Sequence, residues 1–284
     1  MKFSIFSVLF SGLVALVSIQ AEVRIVSAAG AITETICALG ARDALVAVDV
    51  SSVYPAGTGS LPKIGYARQL SAEGILSMNP TLLFVNEDAG PPEVVKQVES
   101  AGVKVVRLSN HHTPEAAMER IVKIGEVLNR QEAAGKLAEG LKADLDLAKT
   151  QVEAANARPK VLFIYARGGG VMNVSGTGTS ADAIIALAGG VNAVQEYANY
   201  KPLTAEGAVA AAPDVILITT RGLESSGGVE GLLKQPGLAL TAAGKVGRII
   251  AMDDLYLLGF GPRLGQAAKE LCEQLHPSPK TAKQ

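Results

Sequence analysis

Tyr66 and Arg68 stand two residues apart in the segment Leu61-Pro-Lys-Ile-Gly65-Tyr66-Ala67-Arg68-Gln69-Leu70. In an extended loop that spacing lets both side chains face one way. A guanidinium close to a phenol favours the phenolate, because opposite charge stabilises the ionised form. Phenolate is a hard anionic oxygen and a good ligand for ferric iron. On residue chemistry alone, an ordinary half-buried loop tyrosine beside a surface arginine is the competing reading, and it stays open at this point.

Other groupings carry less. Gly176-Thr177-Gly178-Thr179-Ser180 precedes a helical stretch, where backbone N–H groups and hydroxyls can hold an anion. It has neither a Gly-Lys-Ser/Thr ending nor Gly-x-Gly-x-x-Gly spacing, which speaks against a nucleotide, and Thr179 or Ser180 as a plain helix cap is the favoured reading. His111-His112 and His276 are the chain's three histidines. Adjacent histidines do not easily face one metal, so a solvated loop pair is expected. No nucleophile–His–acid grouping and no paired carboxylates stand out, so the chain reads as no enzyme.

The elements that must position these residues begin with composition. The chain of 284 residues is 48% hydrophobic and 19% charged, with formal net charge −1. That balance excludes intrinsic disorder. The 26 basic and 27 acidic residues include no Lys or Arg block, so no nucleic-acid partner is expected. Lys2, an apolar run from Phe3 to Ile19, then Gln20-Ala21 and Glu22 read as a secretory signal peptide over residues 1–21. A membrane anchor is the alternative, but the run is barely long enough to span. The expectation is an exported, soluble protein. Cys37 and Cys272 fall in separate halves and are expected as free thiols.

The chain repeats itself. Leu70-Ser-Ala-Glu-Gly-Ile-Leu-Ser-Met-Asn-Pro80 matches Leu203-Thr-Ala-Glu-Gly-Ala-Val-Ala-Ala-Ala-Pro213, and an apolar strand follows each. Ser71 and Thr204 are the expected N-caps. Val23–Val26 and Lys160–Tyr165 each open a half as a strand; helices at Ile32–Leu39 and Ala181–Leu187 follow; Val103–Leu108 and Arg248–Met252 are late strands. Strands alternating with helices predict parallel α/β lobes. The stretch from Pro114 to Asn156 has helical periodicity, stopped by Arg158-Pro159. The fold class is therefore α/β: two Rossmann-like lobes with mainly parallel sheets, joined by a long connecting helix. The divisions are 22–130 for the first lobe, 131–158 for the connector and 159–284 for the second lobe. A stiff helical linker limits hinge closure, and a ligand belongs between the lobes, at loops after strand ends.

Gly65-Tyr66-Ala67-Arg68-Gln69-Leu70-Ser71-Ala72-Glu73-Gly74-Ile75-Leu76, preceded by Tyr54-Pro55 and Leu61-Pro62, resembles the periplasmic haem-binding proteins of bacterial haem ABC importers. The similarity extends to Phe260-Gly261-Pro262-Arg263. The resemblance implies a class III periplasmic binding protein that carries ferric haem as transported ligand. It implies Tyr66 as axial iron ligand, Arg68 as support for its phenolate, and Arg263 facing the haem from the second lobe, with Tyr54 also in contact. Some members add a histidine near the Gly-rich loop of the second lobe. Here that loop, Arg167-Gly-Gly-Gly170-Val171-Met172-Asn173-Val174, has none, and Met172 offers only a soft thioether. Ligation by Tyr66, with water or Arg263 opposite, is the expectation. The implied partners are an ABC permease dimer with its ATPase, and an outer-membrane haem receptor system upstream. In the related vitamin B12 and siderophore binding proteins one glutamate per lobe pairs with permease arginines, which maps to Glu73 and Glu206. The alternatives are a ferric siderophore or cobalamin as ligand, or an exported α/β hydrolase using residues 175–180.

Overall fold

The computed structural model describes residues 22–166 and 172–277. The expected signal peptide and the Gly-rich stretch at 167–171 lie outside the described residues. The first lobe is built on β1 (Ile25–Ala28), β2 (Leu45–Val48), β3 (Leu82–Asn86) and β4 (Lys104–Leu108), between which run α1 (Gly30–Ala38), α2 (Ala72–Leu76) and α3 (Pro92–Ser100). The strands pair in the order β2-β1-β3-β4, all parallel, with Ile25 opposite Leu45 and Leu82. Side chains alternate between the two faces of the sheet. Ile25 and Phe84 pack on one face with Ile32 and Ile36 of α1, while Val26, Leu83 and Val85 pack on the other with Val95 and Val98 of α3. Both faces are covered, which is why β1 and β3 read as nearly continuous apolar runs.

Two helices then leave the lobe. Thr113 caps α4 (Pro114–Val127), accepting from the Ala116 amide at 3.2 Å, and Pro114 occupies the first turn, where its missing N–H costs nothing. After a turn through Asn129, which has φ +55°, α5 (Gln131–Ala154) runs for 24 residues, about 36 Å. Gly125 makes this corner possible: a Cβ there would lie 2.3 Å from that of Ala134.

The second lobe contains β5 (Lys160–Ala166), β6 (Met172–Ser175), α6 (Ser180–Leu187), β7 (Val191–Asn192), β8 (Tyr200–Pro202), α7 (Ala205–Ala211), β9 (Val215–Thr219), α8 (Thr220–Ser225), α9 (Gly228–Leu233), α10 (Ala242–Val246), β10 (Ile249–Met252), α11 (Asp254–Leu258) and α12 (Leu264–Leu275). Its sheet runs β10-β9-β5-β6-β8, with β7 also against β5. The sheets are mainly parallel, as expected, with an antiparallel edge in this second one. The β10–β9–β5 part is parallel, but β6 is antiparallel to β5 and β8 antiparallel to β6. The five residues between β5 and β6 are too few for a crossover, so the chain turns back beside itself.

The repeat is visible as geometry. Ser71 accepts from the Gly74 amide at 3.3 Å and Thr204 from the Gly207 amide at 3.0 Å, and each capped helix leads into an inner strand of its sheet, β3 or β9. Each lobe has an apolar cluster of its own, and a further one is shared between them. The shared cluster runs from Ile25, Phe84 and Ile121 through Leu141 of α5 to Phe163, Leu217 and Leu271 of the second lobe. Helix α12 lies on α5 at Gly265, whose absent Cβ would fall 2.5 Å from the Asp144 Cβ and 2.8 Å from the Leu141 carbonyl. Cys37 of α1 and Cys272 of α12 are free, and burial pushes both thiols up in pKa. Among the described residues no helix is long and apolar enough to cross a membrane.

Candidate binding site

Tyr66 sits on a loop whose path is fixed by its backbone. Gly65 takes φ +91°, a conformation that favours glycine, and its carbonyl accepts from Val50 at 3.0 Å. The Gln69 amide closes a turn on the Tyr66 carbonyl at 2.8 Å. Gly90 then brackets that turn, donating to the Ala67 carbonyl at 3.0 Å and accepting from Leu70 at 2.8 Å. These bonds carry the residues just after β3 to the tyrosine loop and bring Asp88 beside Arg68. Arg68 Nη1 donates to Tyr66 Oη at 3.1 Å, while Nε donates to Asp88 Oδ2 at 2.8 Å and Nη2 reaches the same oxygen. The hydrogen bond to Asp88, with lesser help from its charge and from Tyr66, raises the Arg68 pKa against the opposing effect of burial. Tyr66 is half-buried and Arg68 exposed.

A second group spans the lobes. Asp49 accepts from the Ser51 and Ser52 hydroxyls at 2.6 Å each, and Ser52 bonds Thr33 of α1 at 2.7 Å, so the loop leading to Tyr54 is anchored from beneath. The Tyr54 ring meets the Arg263 guanidinium at 3.7 Å, and Tyr256 lies 4.9 Å away on another side. Arg263 stands at the start of α12 in the second lobe, yet its Nε and Nη2 donate to the two carboxylate oxygens of Glu34 in α1 at 2.6 and 3.0 Å. Burial works against the Arg263 charge, but the Glu34 bonds outweigh it and raise its pKa; burial pushes the Tyr256 phenol up to about 12.

A cavity of about 310 Å³ at the lobe boundary is lined by Asn110, His111 and His112 after β4 and by Gly178, Thr179, Asp182 and Ala183 around the start of α6, and by none of Tyr66, Arg68, Tyr54 and Arg263. Its helix end is closed on itself: Thr179 caps the Asp182 amide at 3.0 Å, and the Asp182 carboxylate takes the Gly178 amide at 3.0 Å and the Asn192 side chain at 3.1 Å. These donors are already used, so the anion-cradle reading of Gly176–Ser180 gains no support. Among the described residues no cluster of His, Cys, Asp and Glu forms a metal site.

The chain matches the family described as periplasmic binding protein over residues 25–256. This chain is a periplasmic binding protein. The solved periplasmic haem-binding protein RhuT of Roseiflexus sp. RS-1, in apo form, superimposes with a TM-score of 0.87 at 46% identity, over 90% of this chain and 98% of that one. A periplasmic haem-binding protein of Pseudomonas aeruginosa gives 0.83 at 36% identity, over 90% and 93%. The vitamin B12-binding protein of Photorhabdus laumondii is 25% identical over 260 residues, 90% of this chain and 89% of that one.

In this periplasmic binding protein, the site residues expected from sequence fall into two pairs, Tyr66 with Arg68 and Tyr54 with Arg263. Met172 joins neither. It is 8% exposed and packs on β6 in the apolar cluster with Leu162, Ile164 and Leu232, so its thioether serves the core and drops out of the candidate set. Glu73 and Glu206 are both exposed in the first turns of α2 and α7.

Sequence reasoning missed Asp88 and Arg120 and misread His112. Asp88 is separated from Arg68 by 20 positions, and only the Gly90 bonds reveal the contact. Arg120 is 7% exposed, donating from Nη1 to the Ser109 and His111 carbonyls at 3.0 and 3.1 Å and from Nη2 across the seam to the Phe260 carbonyl at 2.6 Å. Burial pulls its pKa down to about 10, so it stays charged at neutral pH. Its signal was legible, since it stands three residues after Ala117 and four before Ile124, on the apolar face of α4. His112 corrects the expectation of a solvated pair: its ring packs at 5.4 Å from Phe260, while His111 is exposed.

Burial, with help from the Arg120 charge, lowers the His112 pKa; Asp88 opposes, and Arg68 and His111 add to the lowering. A histidine held neutral in the fold is protonated first in the unfolded chain. Its contribution is therefore complete above the ordinary imidazole value of about 6.5 and declines as acid is added below it. His276 shifts in the same direction, again through burial. Thermal unfolding between pH 8 and pH 5 is expected to show falling stability at the acid end, with a shallower fall in His112→Gln. An unchanged slope in that variant would remove His112 from the account.

Proposed function

We propose that this periplasmic binding protein carries ferric haem between its lobes and delivers it to an inner-membrane ABC importer. The observation that carries the reading is the guanidinium of Arg68 donating to the Tyr66 oxygen at 3.1 Å. A guanidinium donating to that oxygen would hydrogen-bond a phenolate strongly, and a phenolate oxygen suits ferric iron. The likeness to haem-binding proteins at 46% and 36% identity supports the choice of ligand. The lobes are residues 22–130 and 159–284 with 131–158 as connector, and residues 1–21 direct export to the periplasm. Tyr66 is the axial ligand, and Tyr54 with Arg263 forms a second wall against the porphyrin. An outer-membrane haem receptor system supplies the ligand upstream. The protein binds and releases; it is not an enzyme.

A ferric siderophore or cobalamin is the second reading, supported by the 25% identity to a vitamin B12-binding protein. Hemin titrated into the purified protein is expected to give a shifted Soret band with phenolate-to-iron charge-transfer features, undisturbed by excess cobalamin. Competition by cobalamin, with no such features, would favour the second reading.

Glu73 and Glu206 are proposed as the docking pair for the permease. As isolated first-turn acids they contribute only about 0.3–1 kcal/mol each to their helices. Glu73→Lys with Glu206→Lys is therefore expected to leave hemin binding and folding intact while stopping haem uptake into vesicles carrying the importer. Normal uptake by the double variant would count against docking at these positions.

A further inference from the structure

We propose that Asp88 is a positioning residue for the iron ligand, holding Arg68 so that one guanidinium nitrogen is aimed at the Tyr66 oxygen. The inference rests on Tyr66 being the ligand and goes beyond it. Arg68 is 59% exposed along its side chain. A long arginine in that setting is mobile, and it must lose rotamer freedom to stay over one phenol. Asp88 supplies the restraint. Its single oxygen Oδ2 takes both Nε and Nη2, which leaves Nη1 for Tyr66. Because the guanidinium is planar and rigid, fixing two nitrogens fixes the third. The carboxylate is itself delivered by backbone: Ala89 donates to the Asn86 carbonyl at 3.0 Å, and Gly90 holds the tyrosine loop through Ala67 and Leu70.

Asp88 has an opposing effect as well, since its negative charge disfavours a second anion nearby. The two effects differ in sign and in how water treats them. The carboxylate side chain is 35% exposed, so its field is screened by solvent and salt, whereas the direction it imposes on Arg68 is not. Positioning is expected to win.

Hemin-loaded protein tests this. Asp88→Asn is expected to release haem about tenfold faster, the low end for loss of an outer-shell partner, and to move the phenolate-to-iron charge-transfer band. In an Arg68→Ala background the same substitution is expected to add nothing, because Asp88 acts through Arg68. The thermal midpoint without hemin is expected to stay within about 2 °C, as suits an exposed pair. Unchanged release, slower release, or full additivity with Arg68→Ala would each overturn the proposal. Tyr66→Phe separates the two levels. If it leaves the spectrum of the loaded protein unchanged, the ligand assignment fails and the inference with it. If it abolishes the charge-transfer band while Asp88→Asn behaves as wild type, only the role of Asp88 fails.

Discussion

Tyr66→Phe is expected to remove the phenolate-to-iron charge-transfer band and to weaken hemin binding by more than about a hundredfold. The size follows from rank. Losing an outer-shell partner of a metal ligand typically costs about 10–100-fold, and losing the ligand costs more. Phenylalanine keeps the ring and its packing on a half-buried loop, so the fold is undisturbed and the effect isolates one oxygen atom. Arg68→Gln belongs one tier lower, because it removes the donor at 3.1 Å but leaves the oxygen. The specific content is the ordering, with Tyr66→Phe the more damaging of the two substitutions. Stopped-flow transfer of haem to an apo-acceptor measures both, and an equal loss in the two variants would deny Tyr66 its place on the iron.

Arg263→Gln is expected to destabilise the whole protein by roughly 3–5 kcal/mol, because it strands a carboxylate. The Glu34 side chain is 6% exposed and its partner 22%, so this pair lies in a different regime from the exposed helix pairs such as Lys136–Glu132. The stacking of the guanidinium on Tyr54 is lost as well. A drop of about 10 °C in melting temperature corresponds to that loss for a chain of this size. Glu34→Gln added to Arg263→Gln is expected to recover much of the deficit by removing the buried charge itself. A single-variant loss below about 1 kcal/mol would mean that the pair is worth no more than a surface bridge.

What could be read in advance followed local chemistry. The caps Ser71 and Thr204 were legible because a hydroxyl followed by helix-forming residues and a first-turn acid is a local signal. The strands were legible because sheets covered on both faces demand apolar runs. Tyr66 and Arg68 were legible as near neighbours, although a tight turn closed by the Gln69 amide, not an extended loop, is what brings them together. Asp88 was not, because its partner is chosen by loop–loop hydrogen bonds that leave no periodicity behind. The antiparallel return of β6 was within reach, since the gap after β5 is too short for a crossover, but the repeat between the halves drew attention to their likeness instead. Glu34 shows a further limit: a charge on the buried face of α1 looks like a break in the pattern until its counter-ion arrives from 229 residues away.

The buried guanidinium of Arg120, tied to the Phe260 carbonyl, has a consequence for transport. Together with the apolar cluster that continues through α5, it ties the two lobes across their seam, which opposes hinge opening. If Glu73 and Glu206 dock the permease as proposed, a seam held in this way would keep their separation similar with and without ligand. A membrane partner docking on that pair would then have to tell a loaded carrier from an empty one by the porphyrin rim or the loops beside it.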